Sequence, residues 1–204
     1  MSGGRTTRGA QRREEIVAAA RTVLVCEGID AFVLRHLAQR LDMRVGNLQY
    51  YFPTRDDLLE AVVRAELERD LDAVRAQDQP DAERRLAAAI EVLAERWIVD
   101  ECSVYQPIGL LAAHDERFAA LTHEVNEAFH AELAAIVAGV SPGVDADEAR
   151  VRALLISALV DGATMQRYPD DGPLARGPML ERLAALAVTI ARTGGGPPPV
   201  DEPG

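Results

Sequence analysis

Lysine is absent: all 22 basic residues of the 204-residue chain are arginine. The bias fits a GC-rich coding sequence. It also leaves every fixed cation as a planar fork able to grip a phosphate or a guanine edge through two bonds. Cysteine is scarce, with Cys26 and Cys102 far apart and in no CxxC spacing. That argues against a disulfide framework or a structural zinc site and reads as two buried free thiols. Aromatic residues make up 4% of the chain and no Val/Ile/Thr-rich alternating run occurs. With abundant Ala and Leu, the expectation is an all-α protein. No segment approaches the ~20 uninterrupted apolar residues of a membrane span. The first ten residues, MSGGRTTRGA, are polar and basic with no apolar core behind them, so no signal peptide is expected. The chain reads as soluble and cytoplasmic, without a membrane partner. A glycine-rich phosphate loop, a GxSxG elbow and an HExxH pair are all missing, which argues against an enzyme, and no cofactor or metal is expected.

The chain is long enough for one large or two small domains with a sizeable core. Its net charge of −11 disfavours a nucleic-acid partner at first sight, but the distribution reverses that. Residues 1–50 hold eight Arg against five acids, a net +3, so the remainder carries −14. A basic head on an acidic body concentrates phosphate attraction at one end. An acidic body of this size also speaks against the alternative of a non-specific DNA-compacting protein.

Between Ala31 and Leu58 the sequence AFVLRHLAQRLDMRVGNLQYYFPTRDDL sets two short helical patterns about a tight turn. Leu34, Leu37 and Leu41 share helical spacing, which resumes after Asp42 at Val45 and Leu48. This is a helix-turn-helix pattern, whose second helix needs a supporting bundle and leaves one side free for a DNA groove. The stretch from about Arg12 to Val63 resembles the DNA-binding domain of the TetR family of bacterial transcriptional regulators. The matching residues are Ile16, Ala18, Ala19, Ala20, Gly28, Leu37 and Ala38, then Gly46, Leu48, Tyr51, Phe52, Pro53 and Leu58 within and after GNLQYYFP. The likeness covers about a quarter of the chain. It implies a sequence-specific, homodimeric regulator on a palindromic double-stranded operator, usually a repressor, released by a small-molecule inducer.

Carried over by position, the resemblance places Arg44, Val45, Asn47, Gln49, Tyr50 and Tyr51 in or beside the groove, Arg35 nearby, and Arg55 at a backbone phosphate. The chemistry fits: Arg44 or Arg35 suits a guanine edge, Asn47 or Gln49 an adenine edge, and Val45 a thymine methyl. Leu48 and Phe52 read as core, while Tyr51 suits core and phosphate equally. Three positions depart from the family pattern. Val33 replaces the usual Ser or Thr cap of the second helix, Asp42 replaces the turn glycine at some conformational cost, and Val45 replaces a basic residue.

Nine helices are expected, forming an N-terminal three-helix head and a C-terminal ligand-binding and dimerisation domain. The expected divisions are an arm at 1–8 carrying Arg5 and Arg8, a head at 9–53, a body at 54–192 and a disordered tail at 193–204. Helix one spans about 10–27 and stops at Gly28. Thr54 and Asp57 form a capping box opening a fourth helix that runs to about Ala76. A fifth starts at Pro80 and Asp81, a sixth lies near Pro107, a seventh runs from Glu116 to Val140, an eighth starts near Asp145, and a ninth follows the PDDGP loop at 169–173. In the family resembled, helices five to seven enclose the inducer pocket. The candidate lining here is Trp97, Cys102, Tyr105, Gln106, Leu110, Phe118, Asn126, Phe129 and Met165, a set suited to an apolar or aromatic ligand. The family pairs its last two helices between subunits, which makes Leu155, Ala158, Leu159, Gly162, Leu183, Leu186 and Ile190 the candidate dimer seam. His123, Glu127 and His130 share a helix face, a spacing that reads as a polar stripe more readily than as a metal patch.

Overall fold

A computed structural model describes residues 3–99, 104–166 and 176–194. The described residues form nine α-helices: α1 (Gly3–Glu27), α2 (Leu34–Arg40), α3 (Val45–Tyr51), α4 (Arg55–Arg75), α5 (Ala82–Ala94), α6 (Tyr105–Ala112), α7 (Glu116–Val140), α8 (Ala146–Thr164) and α9 (Arg176–Thr193). A π-helical turn, Glu95–Val99, follows α5 directly and has no counterpart in the sequence reading. The all-α architecture is as expected. Helix α1 begins at Gly3 rather than near residue 10, so Arg8 is helical and not part of an arm. Gly3, Gly4, Thr6 and Thr7 are weak helix formers, yet no proline or stop signal separates them from the periodic pattern that follows. Cys102, the 169–173 loop and the tail from residue 195 lie outside the described residues.

Capping chemistry sets several boundaries. Thr54 and Asp57 make the reciprocal box: the Thr54 N–H donates to Asp57 Oδ2 at 2.9 Å, and the Asp57 N–H donates to Thr54 Oγ1 at 3.1 Å. Asp81 and Asp145 cap α5 and α8 by accepting from the N–H groups of Arg84 and Glu148, each at 2.8 Å. Gly28 ends α1 at φ 84°. At the motif turn Asp42 takes φ 48°. Its N–H reaches Gln39 O at 3.2 Å and the Met43 N–H reaches Ala38 O at 2.9 Å, the paired bonds of a Schellman motif. Val33 precedes α2 with extended backbone and no side-chain cap, as its apolar side chain requires.

The chain divides into two compact units, Met1–Arg69 with Cys102–His123, and Asp70–Glu101 with Glu124–Gly204. This partition falls within α4 and α7, unlike the expected division after residue 53. In the first unit, Leu37, Leu48, Phe32 and Phe52 are fully buried around the motif, together with Ile16 and Ala20 of α1 and Leu58, Leu59 and Val62 of α4. Glu66 of α4 is buried as well. Arg21 of α1 grips its carboxylate with two prongs at 2.6 and 2.8 Å, and Arg69 adds a third contact. Burial by itself pushes the Glu66 carboxyl up. The Arg21 and Arg69 guanidinium groups outweigh it and leave the group below its ordinary value. Arg117 of α7 clasps the start of α4, with Nη2 2.8 Å from both Asp57 and Glu60. The same guanidinium holds both carboxyls below the ordinary range.

In the second unit α5 packs on α9, α9 on α8, and both α5 and α8 on the π-helical turn. Asp70 is wholly buried. Its carboxylate accepts from Arg96 Nε at 2.5 Å and from the Trp97 indole N–H at 3.0 Å, which fixes the π turn against the end of α4. The Trp97 ring meets Phe129 edge to face with centroids 5.4 Å apart. Cys26, expected to be buried, is exposed, because its place in the last turn of α1 lies beyond the core-facing Val23 and Leu24. Among the described residues no helix is long and apolar enough to cross a membrane.

Candidate nucleic-acid interface

Helix α3 buries Leu48 alone and turns the rest of its surface outward. Leu48 is anchored because it continues the spacing of α2 across the Schellman turn, and Phe52 closes the helix from beneath. The Arg13 guanidinium lies 4.6 Å from the Phe52 ring centroid and pins that closure to α1. With one side held in this way, Arg44, Asn47, Gln49 and Tyr50 are exposed together, and Val45 and Tyr51 are half-buried at the edge. Tyr50 is 84% exposed, an unusual position for a large ring, and meets Tyr51 edge to face with centroids 5.3 Å apart. Arg35 on α2 is exposed too. Five of the eight residues expected at DNA are therefore exposed, and the other three, Val45, Tyr51 and Arg55, are half-buried.

Arg55 differs in being engaged by the loop before α2. Its Nε donates to Phe32 O at 2.7 Å and Nη2 to Ile29 O at 3.2 Å, so it ties the start of α4 to the α1–α2 connection. These two bonds make the Arg55 guanidinium a brace for the loop, where Ile29 O also accepts from the Phe32 N–H at 3.2 Å.

Two open grooves flank the tyrosine pair. One, of about 590 Å³, is lined by Arg12, Asp42, Met43, Arg44, Asn47, Tyr50 and Tyr51. The other, of about 560 Å³, is lined by Arg8, Gly9, Gln11, Arg12, Glu15, Tyr50 and Tyr51. Arg8 is placed by the sequence in an arm within reach of phosphates or a minor groove, more readily a solvated tail, whereas Gln11 and Arg12 fall in a helix whose pattern marks only a core-facing side. The available signal was an Arg repeat at 8 and 12, one helical turn apart.

The candidate ligand residues divide between the units. Phe118 is buried and Tyr105 half-buried in the first, where Gln106 is exposed and Leu110 is 75% exposed. In the second, Trp97 and Phe129 are buried in mutual contact, whereas Asn126 is exposed and Met165 is 71% exposed. Leu110 and Met165 thus face outward rather than into an enclosed lining, since each lies on the helix side opposite its buried neighbours. Of the seam residues, Leu155, Ala158, Gly162 and Leu186 are exposed, and Leu159 and Ile190 are half-buried. Leu183 is 7% exposed and belongs to the chain's own core, where α9 meets α5 and α8. Glu127 pairs with Arg150 of α8 and lies 4.0 Å from His130 Nδ1, while His123 is exposed. Among the described residues no group of His, Cys, Asp and Glu is placed to hold a metal.

Residues 16–62, which span the buried part of α1, the motif and the start of α4, match the model of bacterial regulatory proteins of the tetR family. The HTH-type transcriptional regulator BetI of Burkholderia cenocepacia is 30% identical over 184 residues, covering 85% of this chain and 88% of that protein. BetI of Burkholderia ambifaria is 28% identical over 180 residues with the same coverage. In fold, the chain is similar to a transcriptional regulator from Rhodococcus sp. Rha1, with TM-score 0.73, 24% identity, and coverage of 89% of this chain and 96% of that one. It is also similar to a putative transcriptional regulator from Saccharomonospora viridis in complex with choline, with TM-score 0.70, 22% identity, and coverage of 87% and 95%. An exposed second motif helix on a three-helix head, in a chain that aligns along most of its length with curated regulators, admits one assignment: the chain belongs to the TetR family of helix-turn-helix transcriptional regulators.

Proposed function

We propose that this DNA-binding regulator is a repressor that sits as a two-fold dimer on a palindromic operator and leaves it when a small ligand binds the body. Regulators of this family are not enzymes, and operator binding and homodimerisation are typical of them. The observation that carries the reading is the exposed face of α3, where Arg44, Asn47, Gln49 and Tyr50 stand clear of the core with the donors and acceptors that base edges require. One such helix touches too few bases for operator selectivity, and a symmetric pair doubles the contacts.

For the ligand, an apolar or aromatic molecule fits the sequence reading, and the choline held by the regulator of similar fold makes a small quaternary ammonium the first to test. Trp97 and Phe129 supply the aromatic surface that such cations favour, while the Asp70 carboxylate beside the indole is already paired with Arg96.

The test is selection from a random DNA pool by the purified chain, followed by choline titration of the selected complex. A palindromic consensus is the expected result, and a single unpaired half-site would overturn the dimeric reading. Choline should weaken operator binding and lose affinity by the same factor when operator is present, with Trp97 as the only tryptophan reporting the event. A complex that keeps its affinity through millimolar choline would remove the cation as inducer.

A further inference from the structure

The two grooves beside Tyr50 and Tyr51 differ in what their other walls offer. One wall belongs to the reading helix and its turn; the other is the outer face of α1. Arg12 lines both. Its Nη1 lies 2.7 Å from Glu15 Oε2, and its Nη2 lies 3.5 Å from Leu41 O, the backbone carbonyl just before the Asp42 turn. We propose that Arg8, Gln11 and Arg12 of α1 form a second DNA-contacting surface that holds the phosphate backbone beside the base-reading helix, with Glu15 occupying Arg12 until a phosphate displaces it.

The α1 groove matches one occupant chemically. Arg8 and Arg12 present guanidinium forks, Gln11 an amide N–H and the tyrosines hydroxyl groups, all of which are common donors to phosphate oxygens. The groove is continuous with the reading face through the shared tyrosine ridge, so a strand whose bases meet α3 has its neighbouring phosphates at this wall. Arg12 already holds a carboxylate oxygen in the geometry a phosphate oxygen would take. Both partners of that pair are partly exposed, with side chains 35% and 47% accessible, and an exposed pair of this kind is weak. Exchange of Glu15 for a phosphate therefore costs little. It restricts Arg12 to ligands that compete with a carboxylate. This inference rests on the reading that α3 enters the groove.

The test uses the full chain and its selected operator, with affinity measured against salt. Each phosphate contact adds roughly 0.9 to the steepness of log affinity against log salt. Arg8→Gln with Arg12→Gln removes two such contacts from each subunit of the dimer and should reduce that slope by about 3.6 without changing the selected sequence. Arg8→Gln alone, at an exposed position, carries the same test with half the effect should the double variant fold poorly. Glu15→Gln should tighten binding several-fold, and the gain should vanish in an Arg12→Gln background. Glu14→Gln, an equal charge change on the same helix, should give a gain that persists there. An unchanged slope in the arginine variants, or a Glu15→Gln gain indifferent to Arg12, overturns the proposal. A wild-type chain that selects no sequence at all would instead refute the groove-reading helix.

Discussion

Ala158→Glu is expected to give a folded chain that sediments as a monomer and binds operator on the order of 10²- to 10⁴-fold more weakly, the usual gain from linking two binding modules. Helix α8 packs inward through Ala149, Ala153, Ile156 and Val160. The opposite side is not polar, as a solvated helix face would be: Val151, Leu154, Leu155 and Ala158 are all exposed there, and Leu186 continues the patch on α9. Gly162 sharpens the point. A side chain at that position would meet nothing within 4 Å, so the chain's own packing does not require glycine. Glycine in a helix costs up to about 1 kcal/mol relative to alanine, less in a last turn such as this one, a cost that close approach of a partner helix would offset. Ala158 lies one turn before it on the same side, where a glutamate reaches solvent freely in one chain but loses its water against a second. Sedimentation and operator titration decide the matter. A folded variant that stays dimeric with full affinity would move the interface away from α8.

Arg21→Ala should destabilise the first unit by about 3 kcal/mol at neutral pH, because it strips the two-pronged partner from a buried carboxylate. Arg69 remains, but it contacts Glu66 from a side chain 42% exposed and cannot replace the lost fork. The pH dependence has a definite sign. In the wild type the folded Glu66 carboxyl lies below its ordinary value of 4.5, so its stabilisation is complete above that pH and is lost as pH falls through the folded value. In the variant, burial is opposed only by Arg69 and the carboxyl moves upward. Acid then relieves the variant by neutralising Glu66 while it weakens the wild type, and the gap between them narrows. Arg21→Leu with Glu66→Leu should recover most of the loss. Denaturant unfolding at neutral and mildly acidic pH measures both effects. A deficit that stays the same at the two pH values would show that the carboxylate's charge is not its source.

Local rules carried far in this chain. Thr54, Asp81, Asp145 and Gly28 mark helix ends by chemistry that acts within four residues, and each is found doing so. Asp42 was legible by another route, because it stands where the family resembled has its turn glycine, and it takes φ 48°. The partners of Arg21 and Arg55 were not legible. Glu66 lies 45 residues from Arg21, and the carbonyls that receive Arg55 lie 23 and 26 residues before it. An arginine in the first turn of a helix looks alike whether it reaches solvent, phosphate or a loop. The faces of α9 were also hidden. Leu183 and Leu186 fall on one apolar stripe by spacing, yet the first is buried and the second exposed, because the helix is apolar on more than one side. The Asp70 contact with Trp97 joins residues 27 apart, so the spacing that makes the tryptophan a candidate lining residue does not show that a carboxylate holds its edge.

The left-handed turn at Asp42 has a kinetic consequence. Glycine would make the same turn without charge, whereas aspartate makes it while placing a carboxylate in the groove that also holds Arg44. Attraction to phosphate is indifferent to sequence and fixes how long a searching protein lingers on each stretch of irrelevant DNA. A negative group at the contact trims that lingering everywhere by the same factor and leaves the preference for operator over other sites to the base contacts. Dwell times on non-operator DNA should therefore lengthen in Asp42→Gly while the ranking of base sequences stays as it was, and unchanged dwell would mean the carboxylate is held away from the duplex.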